Sequence, residues 1–105
     1  MPIPLKTRAL LANDPLMKRC VICGSMEVEW DHTITGAGRK HLEDWWAIAP
    51  VCVYHHRGAG RTQKVKDTVM LWCLTRGQAE LYKYPKHNLE QVKKYLTWKL
   101  YGNRT

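Results

Sequence analysis

The chain reads as a small α+β domain: a β-hairpin and a helix pinned to each other, with additional helices towards the C-terminus. Its 105 residues allow one core and are too few for two. Hydrophobic residues make up 45% of the chain and charged residues 25%, the balance of a globular protein rather than a disordered one. Three of the four cysteines and a histidine fall in a pattern of paired ligands, and two short strand-like runs precede stripes of helical periodicity.

Three segments follow in order: an arm over 1–12, a core over 13–62 and helices over 63–105. In the arm, Pro2, Pro4, Lys6 and Arg8 break up the apolar residues, predicting extended or irregular chain and a poor secretory signal. Asn13-Asp14-Pro15 is a helix-start signal, and a short helix to about Arg19 is expected. Met26 to His32 alternates as a strand, with Met26, Val28 and Trp30 on one face and Glu27, Glu29 and Asp31 on the other. Thr33 to Glu43 is a loop carrying Gly36, Gly38 and the basic pair Arg39-Lys40.

Trp45 to Val51 is a second strand, which Pro50 confines to an edge. A helix begins at Val53, and Gly58-Ala59-Gly60-Arg61 interrupts it. Lys64 to Leu74 has Val65, Val69, Trp72 and Cys73 on one helical face. Thr75-x-x-Gln78 is a capping-box pattern predicting a short helix through Tyr82, ended by Pro85. Asn88-x-x-Gln91 is a second such pattern, opening a helix with the stripe Leu89, Val92, Leu96 and Leu100 and closed by Gly102.

Cys20-Val-Ile-Cys23, followed by Gly24, is one knuckle, and Cys52-Val-Tyr-His55 is another. Two knuckles supply the four N and S ligands of tetrahedral zinc, and Gly24 lets the backbone turn away. A redox CxxC is the rival reading, but no buried strand precedes Cys20. His55 and His56 are adjacent, so either can be the fourth ligand. Cys73, in an apolar helical stretch, reads as a buried small hydrophobe.

Seventeen Lys and Arg against nine Asp and Glu give a formal charge of +8, which points to an anionic partner, most simply nucleic acid. No apolar run reaches the length of a membrane span. Arg57, Arg61, Lys64 and Lys66 follow the second knuckle directly, and with Arg39 and Lys40 they form a candidate phosphate-binding rim. Trp45 and Trp46 read as core packing before base-stacking platforms. A hairpin and helix pinned by zinc would gather Asp31, His32 and His56 around one point.

Cys20-x-x-Cys23, Asp31-His32 and Cys52-x-x-His55-His56 resemble the signature of the HNH endonucleases, a ββα-metal fold with an accessory zinc knuckle. The run Trp46-Ala47-Ile48-Ala49-Pro50-Val51-Cys52 resembles the strand that leads to the family's final His, and the likeness is greatest to small phage and prophage members. The resemblance covers residues 20–58.

It implies DNA phosphodiester hydrolysis, by nicking or cutting, in the cytoplasm of a bacterial host, with replication or recombination proteins as further partners. Asp31 and His56 would hold a divalent cation, Mg²⁺ or Mn²⁺, and His32 would be the general base. Cys20, Cys23, Cys52 and His55 would bind structural zinc. Ala47 occupies a position where the family often has its central Asn, so Asp44 or Glu43 would orient His32 or hold the loop. The alternative from another class is a non-catalytic zinc-knuckle module that binds nucleic acid.

Overall fold

A two-stranded antiparallel sheet lies at the centre of the computed structural model, which describes residues 5–34 and 42–102. Strand β1, Glu29–His32, pairs with β2, Ile48–Val51, in the register Glu29 opposite Val51, Trp30 opposite Pro50, Asp31 opposite Ala49 and His32 opposite Ile48. Pro50 has no N–H to donate, and its carbonyl accepts instead from the Val21 N–H at 3.1 Å. The outer edge of β2 is thereby bonded to the first knuckle.

Among the described residues four α-helices accompany the hairpin: α1, Leu5–Ala12; α2, Val53–His56; α3, Gln63–Arg76; and α4, Leu89–Tyr101. The expected extended arm is therefore helical over its described part. Only Leu11 of α1 is buried, so the helix is held by one anchor and shows no apolar stripe in sequence. A 3₁₀ turn over Pro15–Lys18 follows, and the Asp14 carboxylate accepts from the Leu16 N–H at 2.9 Å, as the start signal predicted.

The helix after the second knuckle is a single turn, with Cys52 at its N-cap. Thr62 starts α3 by accepting from the Val65 N–H at 3.2 Å. Both capping-box expectations fail. Thr75 lies inside α3, which runs on to Arg76, and a 3₁₀ segment over Gln78–Lys83 follows Gly77 with no side-chain cap. Asn88 does precede α4, but its φ of 50° is left-handed, and its side chain caps nothing.

The core runs from the sheet into the C-terminal helices. Trp46, Ala49 and Val51 share one buried cluster with Val69, Cys73 and Leu74 of α3, Leu81, and Leu89 and Leu96 of α4. The segment 63–102 therefore completes the core that the sheet begins. Trp46 has no exposed surface and is packing, as expected; truncating such a side chain costs about 3–5 kcal/mol. Trp45, only partly buried, packs against this cluster and against a smaller one of Leu11, Met17 and Ile48. The Arg76 guanidinium sits 5.1 Å from the Trp45 ring centre and 5.2 Å from that of Trp72, and bonds the Asp14 carboxylate.

Candidate metal centre and its neighbouring acid pair

The first knuckle is a tight turn. The Gly24 N–H bonds the Cys20 carbonyl at 2.9 Å, the Cys20 N–H bonds the Ser25 carbonyl at 2.8 Å, and Gly24 takes a φ of 78°. The second knuckle is helical, the His56 N–H closing on the Cys52 carbonyl at 2.8 Å. That turn brings His55 round to the ligand of its own N-cap. Val21 bonded to Pro50 holds the two knuckles against each other.

One ligand atom from each of Cys20, Cys23, Cys52 and His55 lies within 4.8 Å of every other. Cys23 Sγ and Cys52 Sγ are 3.7 Å apart, and Cys52 Sγ is 3.3 Å from His55 Nδ1. Four sulfurs about 2.3 Å from a central ion would have edges of about 3.8 Å, so the cluster has dimensions compatible with structural zinc. His55 supplies the nitrogen, which decides between the two adjacent histidines. Gly60 lies against this corner: a Cβ there would be driven into the Tyr54 ring and would sit 2.9 Å from His55 Cδ2.

The thiols are electrostatically strained against one another. Burial raises the Cys20 thiol, but N–H groups at Cys52, Cys23 and Ile22 outweigh it and bring the group down to about 6. Ser25 lowers Cys23, yet desolvation and the neighbouring sulfurs of Cys52 and Cys20 leave it raised. A divalent cation removes this conflict by neutralising thiolates gathered at one point. Cys73 is apart from the cluster, completely buried, and burial pushes it up to about 12. It is core, as its sequence context predicted.

A second constellation begins one residue later. His56 Nε2 lies 3.6 Å from Asp31 Oδ1, and His56 Nδ1 lies 2.7 Å from Glu29 Oε1. Asp31 is only 4% exposed, which for a carboxylate calls for compensation, and Arg61 Nη1 supplies part of it at 3.1 Å from Oδ2. Arg57 holds Glu29 from outside, with Nε 3.1 Å from Oε1 and Nη2 2.6 Å from Oε2. Hydrogen bonds from Arg57 and then from His56 hold the Glu29 carboxyl below its usual range.

The structure brings together two of the three residues expected at one point. Asp31 and His56 meet, whereas strand alternation puts His32 with Trp30 on the side opposite Glu29 and Asp31. The polar face of the strand, which alternation alone suggests is solvated, is the face that α2 covers. Glu29 was not singled out by sequence reasoning. Its signal was its position two residues before Asp31, where a strand sets both carboxylates on one side.

Other expectations divide. Arg57 and Arg61 are ion-paired with Glu29 and Asp31 rather than standing clear as a rim, while Lys64 and Lys66 are exposed near the start of α3. Arg39 and Lys40 lie outside the described residues. Asp44 accepts a hydrogen bond from the Tyr84 hydroxyl, so it holds the segment before β2 to the C-terminal half; burial and this carboxylate push Tyr84 up to about 12. Ala47, in a 3₁₀ turn over Trp45–Ala47, has no exposed surface.

The chain matches no protein-family model, no curated protein and no solved structure. Among the described residues, no helix is long and apolar enough to cross a membrane.

Proposed function

We propose that this protein is a metal-dependent endonuclease of the HNH type that hydrolyses DNA phosphodiester bonds, with zinc in the Cys20, Cys23, Cys52 and His55 cluster as a structural staple. The observation that carries the reading is the 3.6 Å approach of Asp31 Oδ1 to His56 Nε2, one residue beyond the zinc-compatible cluster. A carboxylate and an imidazole nitrogen are a suitable donor pair for Mg²⁺ or Mn²⁺. Bound there, such a cation would polarise the scissile phosphate and stabilise the leaving oxygen.

The chain's own residues divide the remaining work. Asp31 and His56 hold the cation. Glu29 occupies the other nitrogen of His56 and so leaves Nε2 facing Asp31. Strand alternation turns His32 away from this pair, so its role as general base requires the attacking water to be reached from the end of β1, at the His32–Ile48 pair. Lys64 and Lys66 attract the polyanion, giving phosphate contacts and little base preference. A phage or prophage origin, and action in a bacterial cytoplasm alongside recombination or replication proteins, accord with this reading.

The test is plasmid nicking in Mg²⁺ or Mn²⁺ with wild type, His32→Ala, His56→Ala and Asp31→Asn. Each variant should lose at least about a hundredfold in rate, the usual scale of a general base or a metal ligand. Equal cleavage by all four proteins would overturn the assignment.

One observation favours a second reading. Arg61 already compensates the buried Asp31 carboxylate, as a purely structural ion pair would. A non-catalytic zinc-knuckle module that binds nucleic acid needs nothing more. Metal counting separates the two: the nuclease binds zinc and a second cation that requires Asp31 and His56, and the module binds zinc alone.

A further inference from the structure

Arg57 follows His56 directly on a basic stretch, which makes it an obvious candidate for touching a DNA phosphate. Its guanidinium is committed elsewhere. It meets both oxygens of Glu29 in a fork, and Glu29 Oε1 in turn lies 2.7 Å from His56 Nδ1. The bonded set therefore runs Arg57, Glu29, His56, and the other ring nitrogen of His56 faces Asp31 at 3.6 Å.

We infer that Glu29 and Arg57 form a brace that fixes the tautomer and ring orientation of His56, making them positioning residues for the cation held by His56 and Asp31. The inference rests on the proposed metal role of that pair and assigns no step of the reaction to the brace.

Three observations support it. A carboxylate only accepts, so the contact at Nδ1 requires the proton on that nitrogen and leaves the Nε2 lone pair on the side of Asp31. The separation of Nε2 from Asp31 Oδ1, 3.6 Å, is too long for a hydrogen bond between them, yet short enough for both to reach one ion. Helix α2 has a single turn, too short to hold a side chain by its own rigidity, so orientation has to come from outside the helix. Glu29 supplies it from the facing strand. Arg57 grips both oxygens of Glu29 and stops its rotation.

The experiment reads metal and tautomer without DNA, using the zinc-loaded full chain. Mn²⁺ affinity is measured by electron paramagnetic resonance for wild type, Glu29→Gln and Arg57→Ala, with Asp31→Asn and His56→Gln identifying the site. Long-range ¹⁵N–¹H spectra report the His56 tautomer, its signals assigned by their loss in His56→Gln.

Wild type should carry its proton on Nδ1. Glu29→Gln should weaken Mn²⁺ binding by about 10–100-fold, the usual effect of removing a ligand's outer partner. Its amide can donate to Nδ1 and should move the proton to Nε2. Arg57→Ala alters a side chain that is 67% exposed and should leave the fold intact, with unchanged zinc content. It should weaken Mn²⁺ several-fold and leave the salt slope of DNA binding unaltered.

The inference is overturned if both variants bind Mn²⁺ as wild type does, or if the proton of wild-type His56 sits on Nε2. It is also overturned if Arg57→Ala lowers the salt slope by about one, the mark of a lost phosphate contact, at unchanged Mn²⁺ affinity. Tight Mn²⁺ binding that depends on Glu29, with plasmid left intact, upholds the brace and overturns the endonuclease reading alone.

Discussion

Cys23 Sγ and Cys52 Sγ lie 3.7 Å apart across 29 residues of chain. The Val21 N–H bond to the Pro50 carbonyl joins the same two segments, and Cys23 is exposed. A short hairpin and a one-turn helix are marginal by themselves, so the cross-link is the natural source of their stability.

Cys23→Ala tests this with little loss of packing, because Cys23 is exposed. The purified protein should contain one zinc per chain, and the variant none. Its melting midpoint should fall by about 10 °C or more, as expected for the loss of a few kcal/mol in a domain of this size. Chelation of wild type should reproduce that fall, and a melt indifferent to both changes would refute the staple.

Thiol reactivity should proceed in three stages. No cysteine of the zinc-loaded protein should react quickly with a thiol reagent. Chelation should release Cys20, Cys23 and Cys52, with Cys20 reacting fastest at neutral pH because its thiol is lowered to about 6. Cys73, buried and pushed up to about 12, should react only on unfolding. Mass spectrometry of the labelled peptides reads the order directly.

Two glycines should respond differently to alanine. At Gly77 a Cβ would be driven into the indole of Trp46, which has no exposed surface into which to retreat. Gly77→Ala should cost about 1–3 kcal/mol by overpacking. At Gly24 nothing stands within 4 Å, and only the φ of 78° opposes a side chain, at about 1–2 kcal/mol. Urea melts of the zinc-free proteins should retain the Gly77 penalty, because it lies in the core and not in the knuckle.

Asp67 of α3 and Lys99 of α4 form an ion pair at 2.6 Å, and Gln63 donates to the other oxygen of Asp67 at 2.9 Å. Burial would raise Asp67, but Lys99 and Gln63 bring it below the usual 3.8, and Asp67 in turn lifts Lys99 above 10.5. The Asp67 contribution is thus complete above 3.8 and is lost as pH falls through its lowered folded value. The Lys99 contribution is complete below 10.5 and is lost as pH rises through its raised one. The stability difference between wild type and Asp67→Asn should be flat from about pH 5 to 9 and shrink on either side. A difference independent of pH would show that the pair contributes nothing electrostatic.

Local chemistry was the legible part of this chain. The ligand spacing of the knuckles, Pro50 at an edge, the Asp14 start signal and the inner stripe of α4 all state their geometry within a few residues. The misreadings share a cause, which is that the deciding partner lies far away in sequence. Leu11 anchors α1 through tertiary contact alone. Thr75 cannot open a new helix because α3 does not end until Gly77, where Trp46 approaches. Glu29 acquires a role only because Arg57 and His56 arrive from the other side of the hairpin.

His55 and His56 are consecutive, one turned to the sulfurs and the other to Asp31. Zinc is spectroscopically silent, but Co²⁺ accepts the same tetrahedral N and S ligands and absorbs visible light. Cobalt in the knuckle would therefore make the staple a colour probe of its neighbour. Any cation, substrate or substitution that moves the backbone at His56 moves the peptide it shares with His55, and the absorption bands would register it.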